Sequence, residues 1–246
     1  MTDSTAPQVS SAPTSYSTAK VAVVTGATGG MGRHIIADLA RDHLVYAVGR
    51  RDVAQLPNVV GVHLDLVEAL DALAAGEDLP AGWRQLASLE RVDVLVHAAA
   101  RAEKLSVAQA SVGQWREQMD LNVHAPAMLT QALLPGLRKA EGTVIFINSG
   151  AGRHSYADNT VYAATKHALY AVADGLRLAE LGIRVATVAP GPTDTPMLAG
   201  LQDYDSAHVI APIEVARAVR AVVDAGPTVQ LTEVQVRPRV ELHLRS

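Results

Sequence analysis

The chain has 246 residues, 49% hydrophobic and 19% charged, which excludes disorder throughout and supplies ample material for one buried core. Its net charge of −4, from 21 basic and 25 acidic residues, lacks the positive excess of a nucleic-acid or anionic-membrane surface, so the expected partner is a small molecule, with no nucleic acid and no membrane. The absence of cysteine excludes disulfides, thiolate metal sites and cysteine nucleophiles, and with no apolar run near the ~18 residues of a membrane helix the expected address is cytoplasmic.

Residues 1–19 carry nine Ser or Thr, two Pro and one charge, Asp3, without any period, so a disordered N-terminal tail is expected there. The character changes at Lys20. Val21-Ala22-Val23-Val24 reads as a strand, and Ile35, Ile36 and Leu39 as the apolar face of a helix. Between them lies Thr25-Gly26-Ala27-Thr28-Gly29-Gly30-Met31-Gly32, a glycine turn where a strand feeds a helix. Glycines let the backbone approach a phosphate, and a helix start offers unpaired N–H groups and a partial positive charge, so this turn reads as a dinucleotide pyrophosphate site.

Further strands are expected at residues 44–48, 59–64, 92–96, 144–147, 183–188 and 230–236, with long helices at 112–137 and 156–181 and a shorter one at 213–223. Runs that are apolar on both faces suit parallel strands covered on each side. The expected fold is therefore α/β: a doubly wound, Rossmann-like parallel sheet of about seven strands with helices on both faces, in a single domain over residues 20–246.

The T-G-x3-G-x-G turn, Asn122, Ser149, Tyr162-Ala163-Ala164-Thr165-Lys166 and Pro190-Gly191 follow one another in the order found in the single-domain short-chain dehydrogenases/reductases, and the sequence resembles that family over roughly residues 20–236. The resemblance implies a nicotinamide cofactor held by Gly26, Thr28, Gly30, Met31, Gly32 and Arg33 at the turn. In the family an acidic residue at the end of the second strand selects NAD. Here the run is Tyr46-Ala47-Val48-Gly49-Arg50-Arg51, with Gly49 in the acidic slot and two guanidiniums suited to a 2′-phosphate, so NADP(H) is expected, with NAD(H) the alternative. Asp65 and Leu66 match the adenine contacts, although an Asp at a strand end is also an ordinary helix cap. His97-Ala98-Ala99-Ala100 replaces the family's Asn-Asn-Ala-Gly beneath the ribose; Ala98 is expected to keep the backbone contact, and His97 puts the fine positioning in question.

Tyr162 and Lys166, four apart on a helix, can share one face. The resemblance makes Tyr162 the acid/base, Lys166 the cation that lowers its pKa and holds the ribose, Ser149 the group that polarises the substrate oxygen, and Asn122 the brace of a water in a proton relay. Pro190, Gly191, Thr193 and Thr195 would hold the nicotinamide carboxamide. The implied function is an NADP(H)-dependent oxidoreductase of carbonyl-reductase type that moves a hydride between nicotinamide and a small or medium alcohol or ketone; the alternative is a catalytically silent NADP(H)-binding regulator. Residues 198–211 are the expected lid, with no dedicated carboxylate or phosphate clamp, and His154 and Tyr156 lie near enough in sequence to meet substrate. The nine histidines show no metal-ligand spacing, so no metal is expected. A homodimer through the helices of Asn122 and Tyr162 is expected, with a tetramer as the alternative.

Overall fold

A computed structural model describes residues 19–53 and 56–244, apart from the His243 side chain; the tail expected at residues 1–19 lies, save for its last residue, outside the described residues. Seven strands, β1 (Lys20–Thr25), β2 (His43–Gly49), β3 (Val59–His63), β4 (Val94–His97), β5 (Thr143–Ile147), β6 (Arg184–Pro190) and β7 (Glu233–Val236), form one sheet in the order β3-β2-β1-β4-β5-β6-β7. Every pairing is parallel. The expected α/β class holds.

The helices are α1 (Gly32–Leu39), α2 (Leu66–Ala75), α3 (Ala81–Ala87), α4 (Val112–Met119), α5 (Ala125–Ala140), α6 (Thr160–Ala179), α7 (Pro196–Ala199) and α8 (Pro212–Val223). Side chains alternate across each strand, and here both sides are apolar. Ala22, Val24, Val94 and Ile145 pack under Ile35 and Leu39 of α1 and Val215 and Val219 of α8. Val23, Leu95, Val144 and Phe146 pack on the other face, against Leu129 and Leu133 of α5 and Leu169 of α6. The two edge strands depart: β3 exposes Gly61 and His63, and in β7 Glu233 and Gln235 are exposed while Val234 and Val236 pack inward.

Strand order reverses between β1 and β4, so the loops leaving their carboxyl ends diverge and open a crevice, the place where ligands of open α/β sheets bind. The long helix expected at 112–137 is broken. Residues Asp120–His124 form a π turn between α4 and α5, in which the Ala125 N–H reaches back to the Asp120 carbonyl. A single added residue of this kind reorients the following helix and marks many functional sites. Asn122 sits within it, buried.

Candidate active site

At the end of β1, Gly26 adopts φ +73°, and a Cβ there would lie 2.7 Å from the Ala98 carbonyl and the Ala99 nitrogen. Only glycine permits both the backbone conformation and the approach. Thr25 locks this junction, its Oγ1 accepting from the Ala98 and Ala99 N–H groups at 3.1 and 3.2 Å. Gly32 is equally crowded, since a Cβ would run into the Gly26 carbonyl oxygen. The start of α1 carries neither a side-chain cap nor an acidic residue in its first turn, so its N–H groups and partial positive charge are left for an anion.

The cofactor-selecting segment lies beside that turn. Gly49 faces Ala27 and the Thr28 methyl, and Arg51 Nη2 donates to Thr28 Oγ1 at 3.1 Å. Arg50 reaches Asp65 Oδ2 at 3.7 Å, whereas Asp65 Oδ1 accepts from the Val67 and Glu68 N–H groups and caps α2, which begins at the buried Leu66. The ordinary capping role of Asp65 is therefore real. Arg33 is exposed at the start of α1.

The His97 ring is buried in the sheet–helix layer, Nε2 at 2.8 Å from Thr130 Oγ1 on α5 and the ring stacked on Phe146 at 5.0 Å. Burial holds it neutral, with its pKa lowered to about 3. The backbone of Ala98 and Ala99 is placed by Thr25 regardless.

Ser149 follows β5, and Tyr162 and Lys166 share the inward face of α6. The Ser149 hydroxyl accepts the Ala151 N–H at 3.2 Å and lies close enough to the Tyr162 phenol to act on its pKa. Lys166 is buried and donates to the Ile147 carbonyl at 2.9 Å, with Nζ 5.6 Å from the centre of the Tyr162 ring. Burial drives both groups toward neutrality: Tyr162 is pushed up to about 12, with the nearby Ser149 hydroxyl acting in the opposite direction, and Lys166 down to about 8. The expected lowering of the phenol by the lysine is thus overridden by desolvation among the chain's own groups.

The Asn122 side chain makes three hydrogen bonds. Its Oδ1 accepts the Arg101 N–H at 2.8 Å, and its Nδ2 donates to the Arg101 carbonyl at 2.8 Å and to Thr165 Oγ1 at 3.0 Å. Thr165 in turn donates to the Tyr162 carbonyl. The side chain ties the β4 exit loop to α6. After β6, Thr193 donates to the Gly191 carbonyl and Thr195 Oγ1 to the Thr193 carbonyl, while the Thr195 methyl packs against Gly30. The segment from Pro190 to Thr195 therefore spans from the sheet to the glycine turn, and Asp194 and Ile210 pin the lid to it through backbone bonds.

These elements enclose a cavity of about 460 Å³, bordered by Met31, Ser149, Tyr162, Gly191, Thr193 and Leu198. Of the two residues noted beyond Ser149, Tyr156 lines it and His154 does not. Sequence reasoning missed Arg237 and Glu241, which also line it, together with Lys104 and Asp158. Arg237 follows directly on β7, the strand beside β6, and that adjacency in the sheet is the one signal that pointed there.

The crevice, the glycine turn and the Ser–Tyr–Lys arrangement on a seven-stranded parallel sheet define a dinucleotide-binding oxidoreductase architecture. The short chain dehydrogenase family profile matches residues 20–205, and the chain belongs to that family. It is similar to an uncharacterized oxidoreductase of Staphylococcus saprophyticus, 29% identical over 228 residues, covering 89% of this chain and 97% of that one. Among solved structures it is similar to a Corynebacterium glutamicum chain assigned to the short-chain dehydrogenases/reductases, with 44% identity, TM-score 0.69 and coverage of 89% of this chain and 100% of that one. It is likewise similar to a Beutenbergia cavernae protein assigned as an NAD(P)-dependent gluconate 5-dehydrogenase and solved with NADP bound at low occupancy, at 28% identity, TM-score 0.77 and coverage of 90% and 96%.

Proposed function

We propose that the chain is an NADP(H)-dependent oxidoreductase that interconverts a small or medium ketone or aldehyde and its alcohol. The observation that carries this reading is the meeting of Ser149 and Tyr162 at the wall of a cavity that Met31 of the glycine turn also borders, with Lys166 buried behind the Tyr162 ring.

The residues fit a dinucleotide: the backbone at Gly26 and Gly32 leaves no room for side chains, the α1 start is uncapped, and Arg51 stands over Thr28. Arg50 and Arg51 would take a 2′-phosphate, which favours NADP(H) over NAD(H), and Thr193 and Thr195 would hold the carboxamide. When bound, the dinucleotide supplies or accepts the hydride. Ser149 and Tyr162 hold the substrate oxygen, and Tyr162 Oη passes its proton to that oxygen as negative charge develops. A carbonyl, NADPH and one proton become an alcohol and NADP⁺. A phenol pushed up to about 12 is protonated at neutral pH, the state a reduction uses. Lys166 spends one of its three donors on Ile147, leaving two for the cofactor ribose and a relay.

NADPH absorbance followed with a panel of ketones, aldehydes and quinones tests the reading. Oxidation by at least one is expected; tight NADPH binding with no oxidation by any would favour the silent regulator, against which the complete Ser149–Tyr162–Lys166 set counts. A homodimer through the helical run that holds Asn122 and through α6, whose exposed faces include Met128 and Leu178, with a tetramer as the alternative, and a cytoplasmic address belong to the same proposal.

A further inference from the structure

The cavity contains a fixed guanidinium that the proposed reaction does not use. The carboxyl ends of β5, β6 and β7 lie side by side, and they deliver Ser149-Gly150, Gly191 and Arg237 to one rim. Arg237 Nη1 is 2.6 Å from where a Gly150 Cβ would sit and 3.2 Å from where a Gly191 Cβ would sit, so the side chain is seated on two positions that carry no Cβ of their own. Gly150 is the residue after Ser149. The other two nitrogens form a fork on Glu241, Nε to Oε1 at 2.8 Å and Nη2 to Oε2 at 2.7 Å.

Both residues line the cavity with Tyr162, and neither is deeply buried, their side chains being 37% and 28% exposed. A partly solvated ion pair contributes little net stability, so exchanging one carboxylate for another across the fork costs little. The other cation of the wall, Lys104, is paired with Asp158 at 3.6 Å near solvent and has neither the planar fork nor the glycine seat.

We infer that Arg237 is the anchor for a substrate carboxylate, with the Glu241 carboxylate occupying its fork until substrate displaces it. The inference rests on the proposed carbonyl chemistry and names its substrate class, a short oxo acid or the corresponding hydroxy acid. Because Gly150 adjoins Ser149 and both residues border the cavity with Arg237, a carboxylate held there belongs to the same short molecule as the reacting carbon. That carbon takes the hydride and the oxygen takes the proton, NADPH becoming NADP⁺, while the carboxylate is chemically unchanged.

The test compares a short 3-oxo acid with its methyl ester, and uses malonate with NADP⁺ as a non-reacting probe. The wild type is expected to prefer the acid, and Arg237→Met to lower the acid-to-ester ratio of kcat/KM by about 30-fold, mainly through KM, with Arg237→Lys between the two. Glu241→Gln removes the internal competitor and is expected to lower KM for the acid alone. Malonate should raise the melting temperature of the wild type and not of Arg237→Met. Equal losses for acid and ester in both variants would make Arg237 and Glu241 only a clamp on residues 237–244, and would overturn the inference, as would failure of malonate to stabilise the wild type. Turnover of neither compound nor of any member of the ketone, aldehyde and quinone panel, with malonate stabilisation intact and dependent on Arg237, would instead reject the oxidoreductase reading and keep the anion site.

Discussion

The two halves of the sheet on either side of the β1/β4 reversal are built by different means. In the β1–β3 half the work is done by backbone. Gly26, Gly32 and the uncapped start of α1 present N–H groups and space, all within one strand–turn–helix. In the β5–β7 half it is done by side chains from separate segments, Ser149, Tyr162 and Arg237, brought together only by the order of the strands. A cradle of backbone needs a local pattern; a pocket of side chains needs the whole fold.

The sharpest break falls in the side-chain half. Tyr162→Phe removes the proton donor and leaves the glycine cradle untouched, so turnover should fall about a thousandfold while NADPH binding, read by its fluorescence, persists. A variant that keeps a near-normal rate ends the assignment of Tyr162.

His97 stands at the junction of the halves and offers a break through pH. Its folded pKa is lowered to about 3 by burial, against an ordinary value of 6.5. The unfolded chain therefore binds a proton that the folded chain refuses as pH falls through 6.5. Stability from this residue is fully present above that pH and declines by about 1.4 kcal/mol per unit on the way toward 3. Urea unfolding from pH 7 to 4.5 should show a gentler decline in His97→Gln than in the wild type. Parallel curves would mean that the ring is protonated in the fold.

In the backbone half the expected effects are smaller because no single side chain carries the site. Arg51→Leu should weaken NADPH binding about tenfold to a hundredfold, as loss of a charged hydrogen bond does, with little change for NADH. Equal weakening of both cofactors would mean that Arg51 only shapes the turn through Thr28.

The same contrast explains what the sequence made legible. The sheet, the glycine turn and the Tyr162–Lys166 pair follow from local period and spacing, and they stand where those patterns put them. The π turn at Asn122 was invisible, because one added residue in a helix leaves the apolar period nearly intact. The burial of His97 depended on Thr130 and Phe146, partners supplied by α5 and β5. Arg237 was missed because its neighbours Gly150 and Gly191 adjoin it only across the sheet. The direction of the Tyr162 shift was misjudged for a related reason: spacing shows that a cation is near, but desolvation depends on everything packed around it.

Asp65 gives the smallest effect and separates two roles in one carboxylate. Oδ1 caps α2 through Val67 and Glu68, and Oδ2 faces Arg50 at 3.7 Å. Asn caps as well as Asp, so Asp65→Asn should leave the melting temperature close to wild type, whereas Asp65→Ala should lose about 1 kcal/mol, a few degrees in a domain of this size. Cofactor affinity reads the other role. If Oδ2 contributes to the adenine or the phosphate-binding arginine, NADPH binding should change in both variants, including the one whose helix remains capped. Binding that follows stability, altered in Asp65→Ala alone, would make Asp65 a cap and nothing more, and would leave Arg50 and Arg51 as the charged side chains with which the backbone half recognises the cofactor.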